Sequence, residues 1–104
     1  GVFEAARERK RFAIGCDSDQ QDEAPEQVIT SLVKAVDTTV VEIARQTQAG
    51  QFSAGIKWFG LAQKGLVLAR NSKNEKFFEP GTVQMLEALT QRIERSDIKV
   101  SDHD

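Results

Sequence analysis

The stretch Arg11-Phe-Ala-Ile-Gly-Cys-Asp17-Ser-Asp19-Gln-Gln21 constrains this chain more than any other: an apolar run of strand length stops abruptly at two carboxylates one residue apart. Strands buried on both faces read as continuous apolar runs, and open α/β sheets hold their ligand sites at the carboxyl ends of such strands. The run therefore predicts a buried parallel strand over about residues 12–16, central to its sheet, with Asp17 and Asp19 in the loop beyond it. Cys16 would sit in that strand as a small buried hydrophobe. As the single cysteine it excludes an internal disulfide and a multi-cysteine zinc site.

The pattern on either side alternates between helical and extended periods. Val2, Phe3 and Ala6 fall at helical spacing, and Arg7, Arg9, Lys10 and Arg11 suit the negative end of that helix, as solvated cations rather than a binding patch. Residues 17–26 are polar and acidic, carry Pro25 and predict a loop over the end of the sheet. Residues 27–31 are a short β-branched segment, a brief strand or extended connection. Thr30 or Ser31 is then placed to cap a helix over residues 32–49, marked by Leu32, Val36, Val40, Ile43 and Ala44 and closed by Gly50. Two glycine-bounded apolar runs, residues 55–61 and 65–69, predict short strands in a hairpin. Pro80 opens a last helix with Thr82 as cap and Val83, Leu86, Leu89 and Ile93 on one face up to Ser96. Residues 98–100 add a short extended piece. The expected fold class is α/β, with a mainly parallel sheet flanked by helices.

The chain's 104 residues allow one domain with a modest core, and helical periodicity from the first residues gives it the look of the interior of something longer. Residues 1–104 are therefore read as a single partial domain. The formal charge of −2, from 14 basic and 16 acidic residues, is mixed along the chain without a basic block, which argues against nucleic acid as a partner. No apolar run approaches the roughly 20 residues of a membrane span, and no signal-peptide pattern opens the chain.

The acid pair has several possible uses. Asp-x-Asp after a strand resembles magnesium-dependent phosphotransfer enzymes, but Gln21 stands where their threonine belongs. An EF-hand fails because Asp22 takes the place of the loop's glycine and Val28 that of its bidentate glutamate. The lone histidine, His103, lies in the tail, so neither a triad nor a histidine-rich metal site can be assembled; no cofactor is called for, and the chain is expected not to be an enzyme by itself. Trp58 and Phe59 suit packing or stacking on a ligand base, and the residues alone leave both open. Lys34 matters only if it reaches the acids after the strand.

In one register, Gly1-Val-Phe-Glu-Ala-Ala6, Ala13-Ile-Gly-Cys-Asp17-Ser-Asp19-Gln20, Ala24-Pro25, Val28-Ile-Thr-Ser31-Leu-Val-Lys34-Ala-Val-Asp37 and the runs at 55–61 and 65–69 resemble the carboxyl-terminal part of the basic membrane protein family. These are substrate-binding lipoproteins of ABC importers, of which the purine nucleoside receptor is the best-understood type. The resemblance implies a type I periplasmic-binding-protein fold: two α/β lobes joined by crossover strands, with a nucleoside in the cleft between them. It implies a missing amino-terminal lobe with a lipidated cysteine, an ABC permease as partner, and a periplasmic or cell-surface location anchored to the membrane through the lipid.

Carried over by position, Asp17 would grip sugar hydroxyls. Lys34, near the start of the following helix, would donate to the same sugar or brace the carboxylate. Asp19 and Gln20 form a second set of ligand-binding candidates, with Trp58 as the stacking aromatic. The implied function is non-catalytic binding of a nucleoside-like small molecule. The alternatives are a ligand-sensing domain of a regulatory protein and a magnesium-dependent phosphotransfer enzyme. A partial domain would also expose sheet edge and apolar surface, to be covered by the missing lobe or by a homo-oligomer of the fragment.

Overall fold

In the computed structural model, which describes residues 1–101, the sheet is centred on the β-branched segment that follows the acidic loop. The elements run α1 (Val2–Glu8), β1 (Ala13–Asp17), a 3-10 turn (Gln21–Glu23), β2 (Val28–Lys34), α2 (Val36–Gln48), β3 (Leu66–Leu68), a second 3-10 turn (Glu75–Phe77) and α3 (Pro80–Glu94). The sheet order is β1-β2-β3. β1 and β2 are parallel, Ile14 opposite Thr30 and Asp17 opposite Val33, while β3 joins antiparallel with Leu32 opposite Leu68 and Lys34 opposite Leu66. The α/β class and the mainly parallel sheet agree with the sequence.

Several expectations are corrected. β1 forms where the apolar run predicts it, but as an edge strand: Ile14 is 61% exposed and Phe12 69%. Cys16 is exposed rather than buried, because it shares the uncovered face of β1 with Ile14, while the opposite face, which bears the buried Gly15, is covered. β2 runs three residues past Ser31, so Thr30 and Ser31 are buried strand residues and cap no helix. Four of the six residues Val28-Ile-Thr-Ser-Leu-Val33, namely Val28, Ile29, Thr30 and Val33, have β-branched side chains that fit a pleated ladder better than a helix turn. α2 accordingly starts at Val36 with Ala35 at its N-cap, and Lys34 ends a strand instead of opening a helix. Gly50 closes α2 in the left-handed conformation (φ +69°), as a C′ glycine should.

The hairpin is also corrected. Only Leu66–Leu68 forms a strand. Residues 55–60 have no ladder partner, although the turn predicted between the two runs exists, with the Gly65 N–H donating to the Gly60 carbonyl at 2.9 Å. Pro80 is the first residue of α3, as expected, but Glu79 is its N-cap and Thr82 lies inside the helix. Residues 98–100 form no strand.

The segment after Asp17 does more than cover a strand end. A parallel pair requires a crossover, usually a dozen residues or more carrying a helix; here residues 18–27 manage it with one 3-10 turn. The crossover doubles back across the sheet face that bears Gly15 and Ser31. Val28 and Ser31 are fully buried beneath it, and within it Ala24 is fully buried and Gln21 nearly so. Contact is close enough that a Cβ on Gly15 would come within 2.3 Å of Ser31 Oγ and 2.9 Å of Gln20 Oε1.

On its far side the crossover is clasped to the segment after β3. Asn71 Nδ2 donates to Asp19 Oδ2 at 2.7 Å, Lys73 pairs with Asp22 at 2.6 Å, and Lys76 pairs with Glu26. The buried Asn74 anchors that segment: its Nδ2 donates to the Ala69 carbonyl and its Oδ1 accepts from the Asn71 N–H.

Beyond this nucleus little apolar surface is covered. Among the described residues the buried hydrophobic ones are Ala6, Ala24, Val28 and Ala69, and neither α2 nor α3 has a buried residue. The radius of gyration is 16.5 Å, against about 13 Å for a globular chain of this length. The accessible surface is 8225 Å², against roughly 5,800 Å² for a folded monomer of this mass.

Candidate functional site

The parallel pairing carries β1 and β2 to a common carboxyl edge, and there Asp17 and Lys34 meet: Lys34 Nζ lies 2.6 Å from Asp17 Oδ1. Regular alternation would send Asp17 to the opposite face from Cys16 and Lys34. It does not, because Asp17 has φ +75° and the Ser18 N–H donates to the Cys16 carbonyl at 3.0 Å. A bond from residue i+2 to i around a positive φ is a γ-turn of the rare, strained kind. The turn takes Asp17 out of the pleat and brings its carboxylate to the Lys34 face, where Cys16 Sγ donates to Oδ1 at 3.5 Å.

The pair is open to water, with side-chain exposures of 67% for Asp17 and 59% for Lys34. The Lys34 hydrogen bond holds the Asp17 carboxyl below its ordinary value, helped by the Cys16 thiol and by the lysine charge. The same hydrogen bond and the Asp17 charge raise the Lys34 ammonium. Both groups therefore stay ionised across the neutral range, leaving a carboxylate oxygen to accept and ammonium hydrogens to donate.

A cleft of about 280 Å³ begins at Lys34 and is walled by Val36, Thr39, Phe59, Gly65 and Leu66. It forms where β2 hands over to α2, with the Ala35 N–H donating to the Gly65 carbonyl at 2.9 Å. Gly65 has no alternative there: a Cβ would sit 2.4 Å from Phe59 Cβ. Larger clefts of about 740 Å³ (Arg70 to Gln84) and 340 Å³ (between β3 and α3) are lined by neither Asp17 nor Lys34. Among their charged groups, Arg70 pairs with Glu87 and Lys64 with Glu94.

The remaining candidates fall elsewhere. Gln20 Oε1 accepts the Cys16 N–H at 2.9 Å, and the Gln20 N–H donates to Ser31 Oγ at 3.0 Å. Asp19 accepts from the Gln21 N–H and from Asn71. Trp58 is 86% exposed and lines none of these clefts; its neighbour Phe59 does. The aromatic run marks the right segment, but the choice between two adjacent rings depends on the unpaired backbone of residues 55–60, which no periodicity predicts. His103 lies outside the described residues. Among the described residues no group of three or more His, Cys, Asp or Glu side chains is placed to hold a metal, and no helix is long and apolar enough to cross a membrane.

The chain is thus an α/β unit whose partly parallel sheet carries a charged pair at its strand ends beside a shallow cleft. The solved structure of ABC transporter system solute-binding proteins from Aeropyrum pernix K1 has this fold, with TM-score 0.72 and 25% identity, covering 99% of this chain and 38% of that one. A transcriptional activator of the comK gene from Bacillus halodurans shares it, with TM-score 0.79 at 22% identity, covering 96% of this chain and 34% of that one. In sequence, the CD4+ T-cell-stimulating antigen of Listeria innocua serovar 6a is 31% identical over 117 residues, 96% of this chain and 32% of the antigen. Residues 1–104 match the Bmp family, described as ABC transporter substrate-binding protein PnrA-like, and the chain belongs to that family. It spans about a third of the length of the relatives it matches.

Proposed function

We propose that this chain is the carboxyl-terminal part of a substrate-binding protein that captures a nucleoside-like small molecule, without catalysis, for an ABC permease. The observation that carries the reading is the Asp17–Lys34 pair, water-accessible at the carboxyl edge of the sheet and adjoining a cleft walled by Phe59. An ionised carboxylate can accept two hydrogen bonds from a vicinal diol, and charge-assisted bonds are roughly twice as strong as neutral ones. The ring of Phe59 offers an apolar face to a base.

At about 280 Å³ the cleft is smaller than the roughly 300–1,000 Å³ of most small-molecule sites, as one wall of an interlobe cleft should be. An amino-terminal lobe would supply the other wall, and a lipid anchor would hold the protein at the periplasmic or outer face of the membrane. The family's description as substrate-binding proteins supports this reading. A second one, a ligand sensor in a regulatory protein, is favoured by the description of the Bacillus halodurans neighbour as a transcriptional activator; it uses the same site for the same ligand class. Metal-dependent phosphotransfer is disfavoured by the donor set, since Asp17 is engaged by Lys34.

The test is a thermal-shift screen of nucleosides, free bases and sugars on the intact protein. Ligand that binds only the native state raises the melting temperature in a saturable manner. Nucleosides are expected to do so more strongly than bases or sugars at equal concentration; a shift confined to another ligand class would contradict the nucleoside assignment.

A further inference from the structure

Asp17 reaches Lys34 only because its backbone adopts a γ-turn, a conformation that costs energy in an isolated chain and persists only where its surroundings over-determine it. Two hydrogen bonds do so. Gln20 folds its side chain back so that Oε1 accepts the Cys16 N–H at 2.9 Å, on the residue immediately before the turn. Its own N–H donates to Ser31 Oγ at 3.0 Å, and Ser31 is fully buried in β2. Gly15 completes the stack, since any Cβ there would collide with both partners.

The result is a brace from the core of the sheet to the outer flank of β1. Ser31 holds Gln20, Gln20 holds the Cys16 peptide, and the Cys16 carbonyl closes the turn on the Ser18 N–H. The Cys16 N–H faces the side of β1 that has no neighbouring strand. Without Gln20 it would turn to water, and the strand end could relax to an ordinary extended φ that returns the Asp17 carboxylate to the opposite face.

We infer that Gln20 is a positioning residue, which holds Asp17 in the turn that presents its carboxylate beside Lys34, and that it acts on ligand through Asp17 instead of touching ligand itself. The inference rests on the binding role proposed above for Asp17. It differs in kind from the direct contact that position alone implied for Gln20. The gain is pre-organisation: the carboxylate is set before ligand arrives, so less ordering cost falls on binding.

The experiment uses the intact protein and the variant Gln20→Leu, which keeps bulk and loses the acceptor oxygen, with inosine as the probe. Inosine affinity is measured by calorimetry in the wild-type and Asp17→Asn backgrounds, and the Asp17 carboxyl is titrated by carbon NMR without ligand. Gln20→Leu should weaken inosine about tenfold in the wild-type background, the scale of one lost hydrogen bond. In the Asp17→Asn background it should change affinity by about twofold or less, because residues acting through one contact are not additive. The Asp17 carboxyl should also titrate closer to its ordinary value as the Lys34 contact loosens.

Equal losses in both backgrounds would mean that Gln20 contacts ligand directly, and would overturn the proposal. So would an unmoved Asp17 titration. If the wild-type protein does not bind inosine, the nucleoside assignment fails while the Asp17 titration still decides the role of Gln20. Should Gln20→Leu not fold, Ser31→Ala removes only the hydroxyl that holds the Gln20 N–H, and the same criteria apply to it.

Discussion

At the scale of single residues, the fate of each candidate follows from what its neighbours leave free. Asp17 and Lys34 could be paired from their positions in the family pattern, and the geometry agrees, but by a route that spacing could not reveal. Lys34 ends a strand, and a positive φ at Asp17 turns the carboxylate across to it. Backbone conformation at one residue leaves little trace in composition; the nearest hint is that aspartate tolerates such a φ better than most residues. The exposure of Cys16 escapes the sequence for a different reason, because an apolar run predicts a strand but cannot say which of its faces is covered. The ionisation of the pair sets an expected pH profile. Asp17 titrates below its ordinary value, so its interaction is complete above that value and is lost as pH falls through the lowered one. Lys34 titrates above its ordinary value, so its interaction is complete below that value and is lost as pH rises through the raised one. Nucleoside affinity of the intact protein should therefore be flat from about pH 5 to about pH 9 when followed by calorimetry. A midpoint near pH 6.5 would place a different group in control. Overall stability should scarcely follow this profile, because a pair this exposed is screened by water.

At the scale of elements, the number and kind of helices were legible, whereas the boundary between β2 and α2 was not. Leu32, Val36 and Val40 repeat at four-residue spacing, which a helix explains, yet Leu32 also continues the extended run from Val28. The ladder to both β1 and β3 decides between them. Residues 55–60 fail as a strand for the complementary reason: an extended segment is stable only with a partner, and none stands beside it among the described residues. The crossover between β1 and β2 is the least legible element, since its one 3-10 turn lacks any apolar period. What identifies it is Gly15, whose missing side chain lets Ser31 and Gln20 approach. Gly15→Ala is expected to destabilise the protein by about 1–3 kcal/mol, the usual cost of overpacking, seen as a lower denaturation midpoint at unchanged slope. A midpoint equal to wild type would mean that the crossover is not packed on Gly15.

At the scale of the whole molecule, the chain exposes roughly 2,400 Å² more surface than a folded monomer of its mass should, about what one partner gives up in a large obligate interface. Phe12 and Ile14 at the open edge of β1, Val36, Val40 and Val41 on α2, and Ile56 and Trp58 beyond it belong to this excess. A sheet edge and apolar patches of that kind promote association. The 104-residue chain by itself is therefore expected to bind an apolar dye and to self-associate in sedimentation velocity at micromolar concentration. A monodisperse, dye-silent monomer would show that its exposed faces need no cover. The family resemblance could be read from the ordered motifs because those motifs lie in β1, β2 and the turns that frame the strand-end pair. The extent of the uncovered surface could not, since the apolar periods of α2 and α3 predict packed faces, whereas neither helix has a buried residue. The central claim, that the Asp17 carboxylate is the group that holds a nucleoside by its sugar, is tested most directly by calorimetric titration of inosine into the intact protein and its Asp17→Ala variant. Affinity should fall roughly tenfold to a hundredfold; inosine bound as tightly by the variant as by the wild type would contradict the account.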